Sequence, residues 1–318
     1  MGYRRRPNQV FLERNLHPPT SILLAIPLSR LSYPDALLTW NVLSLLPLGA
    51  SLYLAARGLG IRLTPWSALP IYVLLLVCNP LRQQLLQGQL NLVLLVLIVG
   101  VWWADRTGRP VWAGILLGAA TAIKLFPGFL FLYFVLQRRW RAVAAGAASI
   151  VVLTMWTVAV LGIESYRDYI VDVIPTLGSW RSSWPNVSLL GFWSKLFDPN
   201  SNVGTTIPLI RSPLLARAGT WISCALAVAA VVVVVRRARS RSERDHAFAT
   251  CITAMLLVTP IVWDHYFLLL LLPIALLWTS LPISGPARWD FRLILFVLWM
   301  PPSLWWKIFL GVDRITWT

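Results

Sequence analysis

Acidic residues are scarce in this chain: 12 Asp and Glu stand against 28 Lys and Arg in 318 positions. Charge of either sign makes up only 13% of the residues, while 58% are apolar and the mean hydropathy is +0.69. Too little charge remains to solvate the surface of a soluble domain, so a soluble globular fold is excluded. Cysteine and histidine are scarce too, with three of each. Cys78, Cys224 and Cys251 lie in or beside apolar stretches without paired spacing, which excludes a disulfide framework or a metal knuckle and reads as core. His17, His246 and His265 are scattered without ligand spacing, so neither a metal nor another cofactor is expected. No apolar h-region separates Arg4, Arg5 and Arg6 from Pro18, so the beginning does not read as a cleavable signal peptide. The net charge of +16 does not imply nucleic acid, because the arginines fall between hydrophobic spans and not along one soluble face. Orientation in a bilayer and contact with anionic membrane lipids account for them better.

What is present is a succession of apolar runs. A bilayer core of roughly 30 Å needs about 20 apolar residues per helix, and helices are expected over 35–56, 66–78, 90–104, 142–162, 214–235, 247–263, 266–280 and 291–310. The fold class is therefore all-α: a polytopic integral membrane protein, one membrane domain over 1–318, with a polar segment at 1–17 and a long extracytoplasmic loop region at 163–212. A bacterial cytoplasmic membrane is the expected location. Several runs are shorter than a full span and imply broken, tilted or cavity-lining helices. Residues 21–31 are too short and too proline-flanked to cross, so an interfacial helix is expected there.

Arginine clusters at Arg57 and Arg62, Arg106 and Arg109, Arg138 to Arg141, Arg236 to Arg244, and Arg288 with Arg292 are expected on the cytoplasmic side. Two apolar pieces, 112–123 and 125–136, then form a hairpin whose tip carries Lys124. About 12 helical residues rise only about 18 Å, so that tip need not reach the far surface. The same parity places residues 79–89, 164–211 and the Trp263-Asp264-His265 turn together on the outer side. Parity also leaves Arg4 to Arg6 outside, so either residues 21–31 cross after all or a first helix is missing.

Four local patterns stand out, each with a plainer alternative. Gln87-Gly88-Gln89-Leu90-Asn91 offers amides for sugar hydroxyls or phosphate oxygens beside a permissive glycine, or is a hydrogen-bonded helix entry. Lys124 places an ammonium at membrane depth, where it faces a lipid phosphate or snorkels to the surface. Asn186-Val187-Ser188 follows Trp180, Arg181 and Trp184, a setting suited to carbohydrate, although tryptophans also mark membrane interfaces. In Pro260 to Tyr266, a proline-broken helix end precedes Asp264 and His265, which can handle a proton or form a capped turn.

Taken in order, Gln87-Gly88-Gln89-Leu90-Asn91, Ala113-Gly114, Ile123-Lys124-Leu125-Phe126-Pro127, Arg138-Arg139-Trp140, Asn186-Val187-Ser188-Leu189 and Trp263-Asp264-His265-Tyr266 resemble bacterial glycosyltransferase family 87. The resemblance extends from about His17-Pro18-Pro19 and Pro27 to at least Pro273. It implies a GT-C-like helical bundle with short broken helices and a membrane glycosyltransferase. The implied donor is a polyprenyl-phosphate sugar, with mannose expected, and the acceptor a lipid or glycan on the outer face. It also implies a reaction without a required bound metal. Family members carry a further N-terminal helix and an outer loop with an aspartate as general base, whereas this chain has no aspartate before Asp35 and only Glu13 as an acid there. On this reading Lys124 and, second, Arg82 stabilise the leaving phosphate; Gln87, Gln89, Asn91, Asn186, Ser188 and Trp263 bind substrate. His265 or Asp264 then handles the acceptor proton. A lipid-linked-sugar transporter or flippase, or a family member without catalysis, is the alternative.

Overall fold

The computed structural model describes residues 16–199, 207–282 and 285–300. The polar segment through residue 15, with Arg4 to Arg6 and Glu13, lies outside them, as does the part of the last expected helix beyond residue 300. Among the described residues the chain is all-α. Three helices among these residues are long and apolar enough to cross a membrane: α1 (Tyr33–Leu59), α7 (Trp140–Leu161) and α11 (Pro213–Arg237). Only 11 to 17% of their most apolar windows is buried inside the protein. Side chains such as Leu46, Met155, Trp156 and Trp221 are left exposed, which in water would be an aggregation liability and in lipid is the expected surface.

Between them lie shorter elements: α2 (Pro65–Leu76), α3 (Asn79–Leu86), α4 (Asn91–Arg106), α5 (Pro110–Ile123) and α6 (Phe131–Leu136). The segment after α7 folds into α8 (Glu164–Asp168), α9 (Ile174–Leu177) and α10 (Leu189–Phe197). After α11 come α12 (Arg241–Val258), α13 (Leu271–Ser280) and α14 (Pro286–Trp299). Helix α4 is apolar around its circumference, and Leu92, Leu94, Leu95, Ile98 and Val101 are wholly buried, which places it at the centre of the core. Helices α5 and α7 cross closely because Gly114 and Gly118 face the backbone of Ala142 and Gly146, where any Cβ would collide. Residues 21–31 form 3₁₀ turns, Pro19–Leu24 and Ile26–Leu28, with exposed apolar side chains.

The bundle has two chemically distinct ends. At one, the last turn of α4 joins the flanks of the hairpin and the start of α12. Arg139 pairs with Asp105, Tyr133 donates to the same carboxylate at 3.1 Å, and Arg106 pairs with Asp245. The Trp102 indole also donates to Asp245, at 2.8 Å. Both ends of the α5 to α6 hairpin therefore meet one charged face. The other end, where α4 begins and α5 and α12 finish, is about 24 Å away by the rise of a 16-residue helix.

Candidate functional site

At that second end a cavity of about 800 Å³ opens among the chain entry at His17, the turn after α3, the hairpin tip and the segment after α12. Three of these walls stand where a helix is broken. Helix α3 stops at Leu86, and Gly88 adopts φ +58, a left-handed conformation that glycine enters without a Cβ penalty. The turn is fixed by Gln89 N donating to Gln84 O at 3.1 Å and by the Trp40 indole donating to Gln89 O at 3.3 Å. The Gln84 side-chain amide donates to the same carbonyl. With its backbone held, Gln89 places its Oε1 3.3 Å from His17 Nε2.

Lys124 ends α5 in extended conformation, φ −141 and ψ 137, and Pro127 then starts a tight 3₁₀ turn over Phe126–Leu130. This break turns the hairpin and leaves the lysine inside it, 2% exposed. Its Nζ donates to Asn91 Oδ1 at 3.3 Å and lies 4.4 Å from the Tyr266 ring centroid and 5.8 Å from that of Phe126. Among the described residues no carboxylate lies within ion-pair distance of it. A cation-π contact and one neutral carbonyl stabilise an ammonium at such depth only in part, and its remaining side is the cavity that it lines.

Helix α12 ends at Val258, and Trp263, Asp264 and His265 follow the Pro260 break. Trp263 packs edge-on against Trp180 at 5.9 Å and perpendicular to His265 at 5.8 Å. His265 is 1% exposed and packs on Tyr266 at 5.0 Å. The segment is braced from behind by Asn186, whose amide uses every hydrogen-bonding position it has. Its Nδ2 donates to Arg181 O and Pro260 O, each at 2.9 Å. Its Oδ1 accepts from Ser188 N at 3.1 Å and Val262 N at 3.0 Å.

Of the residues singled out from sequence, Lys124, Gln87, Gln89, Trp263 and His265 line one cavity. The others stand elsewhere. Asn91 is wholly buried behind Lys124. Asn186 and Ser188 are also wholly buried, with the Ser188 hydroxyl donating to Pro260 O at 2.9 Å. Asp264 accepts from Asn79 Nδ2 at 3.0 Å and is not among the lining residues. Arg82 is exposed on α3, away from the lining. Sequence reasoning passed over His17 and Tyr169, both of which line the cavity. For His17 a signal existed: two prolines directly after it forbid a continuing helix and hold the residue at a fixed chain entry. Tyr169 sits in a π-helical turn, Tyr169–Val173, and its neighbours carry no local pattern that marks it.

The cavity thus combines one buried cation, two imidazoles, two primary amides and a wall of aromatic and aliphatic side chains. Such a lining suits a ligand with an anionic group, hydroxyls and an apolar tail.

Residues 15–260 match the model of glycosyltransferase family 87. Three mycobacterial relatives are similar to the chain. One is a polyprenol-phosphate-mannose-dependent alpha-(1-2)-phosphatidylinositol mannoside mannosyltransferase of Mycobacterium tuberculosis, 25% identical over 95% of this chain and 73% of its own length. The second, a polyprenol-phosphate-mannose-dependent alpha-(1-2)-phosphatidylinositol pentamannoside mannosyltransferase of the same species, is 26% identical over 91% of this chain and 66% of its own. The third, from Mycolicibacterium smegmatis, bears the first name and is 26% identical over 71% of this chain and half of its own. The chain therefore spans about half to three quarters of the length of these relatives. No solved structure matches it. Because the family match covers most of the sequence and contains the cavity-lining turns at Gln87 to Gln89, Lys124 and Pro260, the chain belongs to glycosyltransferase family 87.

Proposed function

We propose that this protein is a multi-pass glycosyltransferase of the bacterial cytoplasmic membrane that moves a sugar, mannose by analogy with its relatives, from a polyprenyl-phosphate donor to a lipid or glycan acceptor. The observation that carries the reading is Lys124: a lysine 2% exposed, without a carboxylate partner among the described residues, lining a cavity large enough for a sugar phosphate. The positive-inside rule places the face with Arg106, Arg139 and Arg241 in the cytoplasm. The cavity then opens at the outer side, where no nucleotide sugar is available and a lipid-linked donor is.

In the reaction, the acceptor oxygen forms a bond to the anomeric carbon as the bond from that carbon to the phosphate oxygen breaks. The phosphate leaves on its lipid carrying the electron pair. Charge stabilisation therefore matters more than protonation at the leaving group, and Lys124 supplies a fixed point charge for it. The acceptor proton goes to His265, the imidazole of the hairpin-facing wall. Asp264 holds its turn through Asn79, and Gln87, Gln89 and Trp263 receive the sugar's hydroxyls and its C–H face. The aliphatic lining at Leu125, Ile261 and Val258 receives the first isoprene units.

The test is sugar transfer from a labelled polyprenyl-phosphate mannose in liposomes, using the full-length gene product. Lys124→Met keeps the apolar stem and removes the charge, and transfer should fall by roughly a hundredfold or more with insertion and thermal stability retained. Lys124→Arg should restore only part of it, since a guanidinium differs in reach and geometry. Full transfer by the Met variant would reject the role.

A further inference from the structure

The Lys124 ammonium is enclosed by the protein on two sides and open on one. Behind it, Asn91 opens α4 with its side chain wholly buried, and its Oδ1 is 3.3 Å from Nζ. Above it, the Tyr266 ring face lies at 4.4 Å. Asn91 does not line the cavity, whereas Lys124 and Tyr266 do. A substrate in the cavity therefore meets the lysine and not the asparagine, which separates Asn91 from the groups that contact the donor.

The chemistry of the partner matters as much as its position. A carboxylate at 3.3 Å would neutralise the ammonium and leave it little attraction for an incoming anion. An alkyl side chain would leave the ammonium free to swing on four rotatable bonds. A neutral amide oxygen orients one N–H while leaving the full positive charge, and the Tyr266 face confines the group without cancelling that charge. The Asn91 Nδ2 is buried without a hydrogen-bond partner, so among the described residues the bond to Lys124 is the one that this amide makes.

We propose that Asn91 is a positioning residue that acts through Lys124, a neutral acceptor that aims the ammonium into the cavity and keeps its charge available to the donor phosphate. This rests on the reading of Lys124 as the phosphate-binding group, so the experiment separates the two. Asn91→Asp, Asn91→Ser, Asn91→Ala and Lys124→Met are compared in the full-length protein for donor KM, kcat and the pH profile of kcat/KM with polyprenyl-phosphate mannose. Asn91→Asp preserves shape but adds the carboxylate. Donor KM should rise about tenfold, and the alkaline limb should move up by about one pH unit as the ion pair holds the lysine charged. Asn91→Ala should raise donor KM and move the same limb down, with Asn91→Ser, a smaller neutral acceptor, in between. Wild-type donor KM and an unmoved alkaline limb in Asn91→Ala and Asn91→Ser would overturn the proposal, even if Asn91→Asp failed to fold. Unchanged donor KM and kcat in Lys124→Met would instead sink the underlying assignment of Lys124.

Discussion

At the scale of single residues, the cavity depends on side chains that never face it. Asn186 joins the turn after Trp184 to the segment after α12, and Lys195 reinforces it by donating to the carbonyls of Asn186 at 2.6 Å and Trp184 at 3.1 Å. Asn186→Asp conserves shape but removes both donors to Arg181 O and Pro260 O. Arg181 O then loses its side-chain donor and Pro260 O keeps only the Ser188 hydroxyl, a loss of roughly 1–3 kcal/mol. Thermal unfolding in detergent should show a clearly lowered midpoint for Asn186→Asp and for Ser188→Ala, which loses its bond to Pro260 O and its cap on Gly191 N. An unchanged midpoint in Asn186→Asp would show that the brace is not structural. Gly191 belongs to the same brace: a Cβ there would approach Asn186 O to 2.6 Å.

At the scale of elements, helix breaks determine where chemistry is placed. Helix α5 has 14 residues, a rise of about 21 Å, which is short of a bilayer core, so α5 and α6 return to the face they left. Cysteine labelling tests this with Arg109→Cys and Arg141→Cys, both exposed positions, in a background without the native cysteines. A membrane-impermeant reagent should reach both from the same side. Labelling from opposite sides would refute the hairpin. Helix α12 shows what apolar runs alone miss. Its expected start at residue 247 is where the hydropathy rises, yet the helix begins at Arg241 behind a capping box in which Ser240 and Glu243 bond each other's backbone. Those backbone hydrogen bonds hold the Glu243 carboxyl below its ordinary pKa. Its contribution to capping is therefore complete above the usual glutamate range and is lost as pH falls through that lowered value. The Ser-x-x-Glu signal was legible in the sequence. The 3₁₀ geometry of Asp264–Leu270 was not, because an apolar run reads the same for either helix type.

At the scale of the whole molecule, two ends of one bundle divide the work. The charged end ties α4, the hairpin flank and α12 together through Asp105 and Asp245, and the cavity lies at the opposite end, where α4 begins and α12 finishes. Membrane class, hairpin and the meeting of Lys124, Gln89 and His265 were readable from sequence, since charge parity and chain order constrain all three, whereas Asn91, expected on the same cavity, stands buried behind Lys124. The bracing of Asn186 and Ser188 and the joining of His17 to Gln89 were not, because each depends on partners about 70 residues away in sequence. The central claim is that the buried Lys124 receives the phosphate of a lipid-linked sugar. Its most direct test is a cryo-EM map of the full-length protein with a polyprenyl phosphate bound. The account predicts phosphate density within hydrogen-bonding distance of Lys124 Nζ, with the first isoprene units against Leu125 and Ile261. Phosphate density held at another site, with Lys124 still facing only Asn91 and Tyr266, would contradict it.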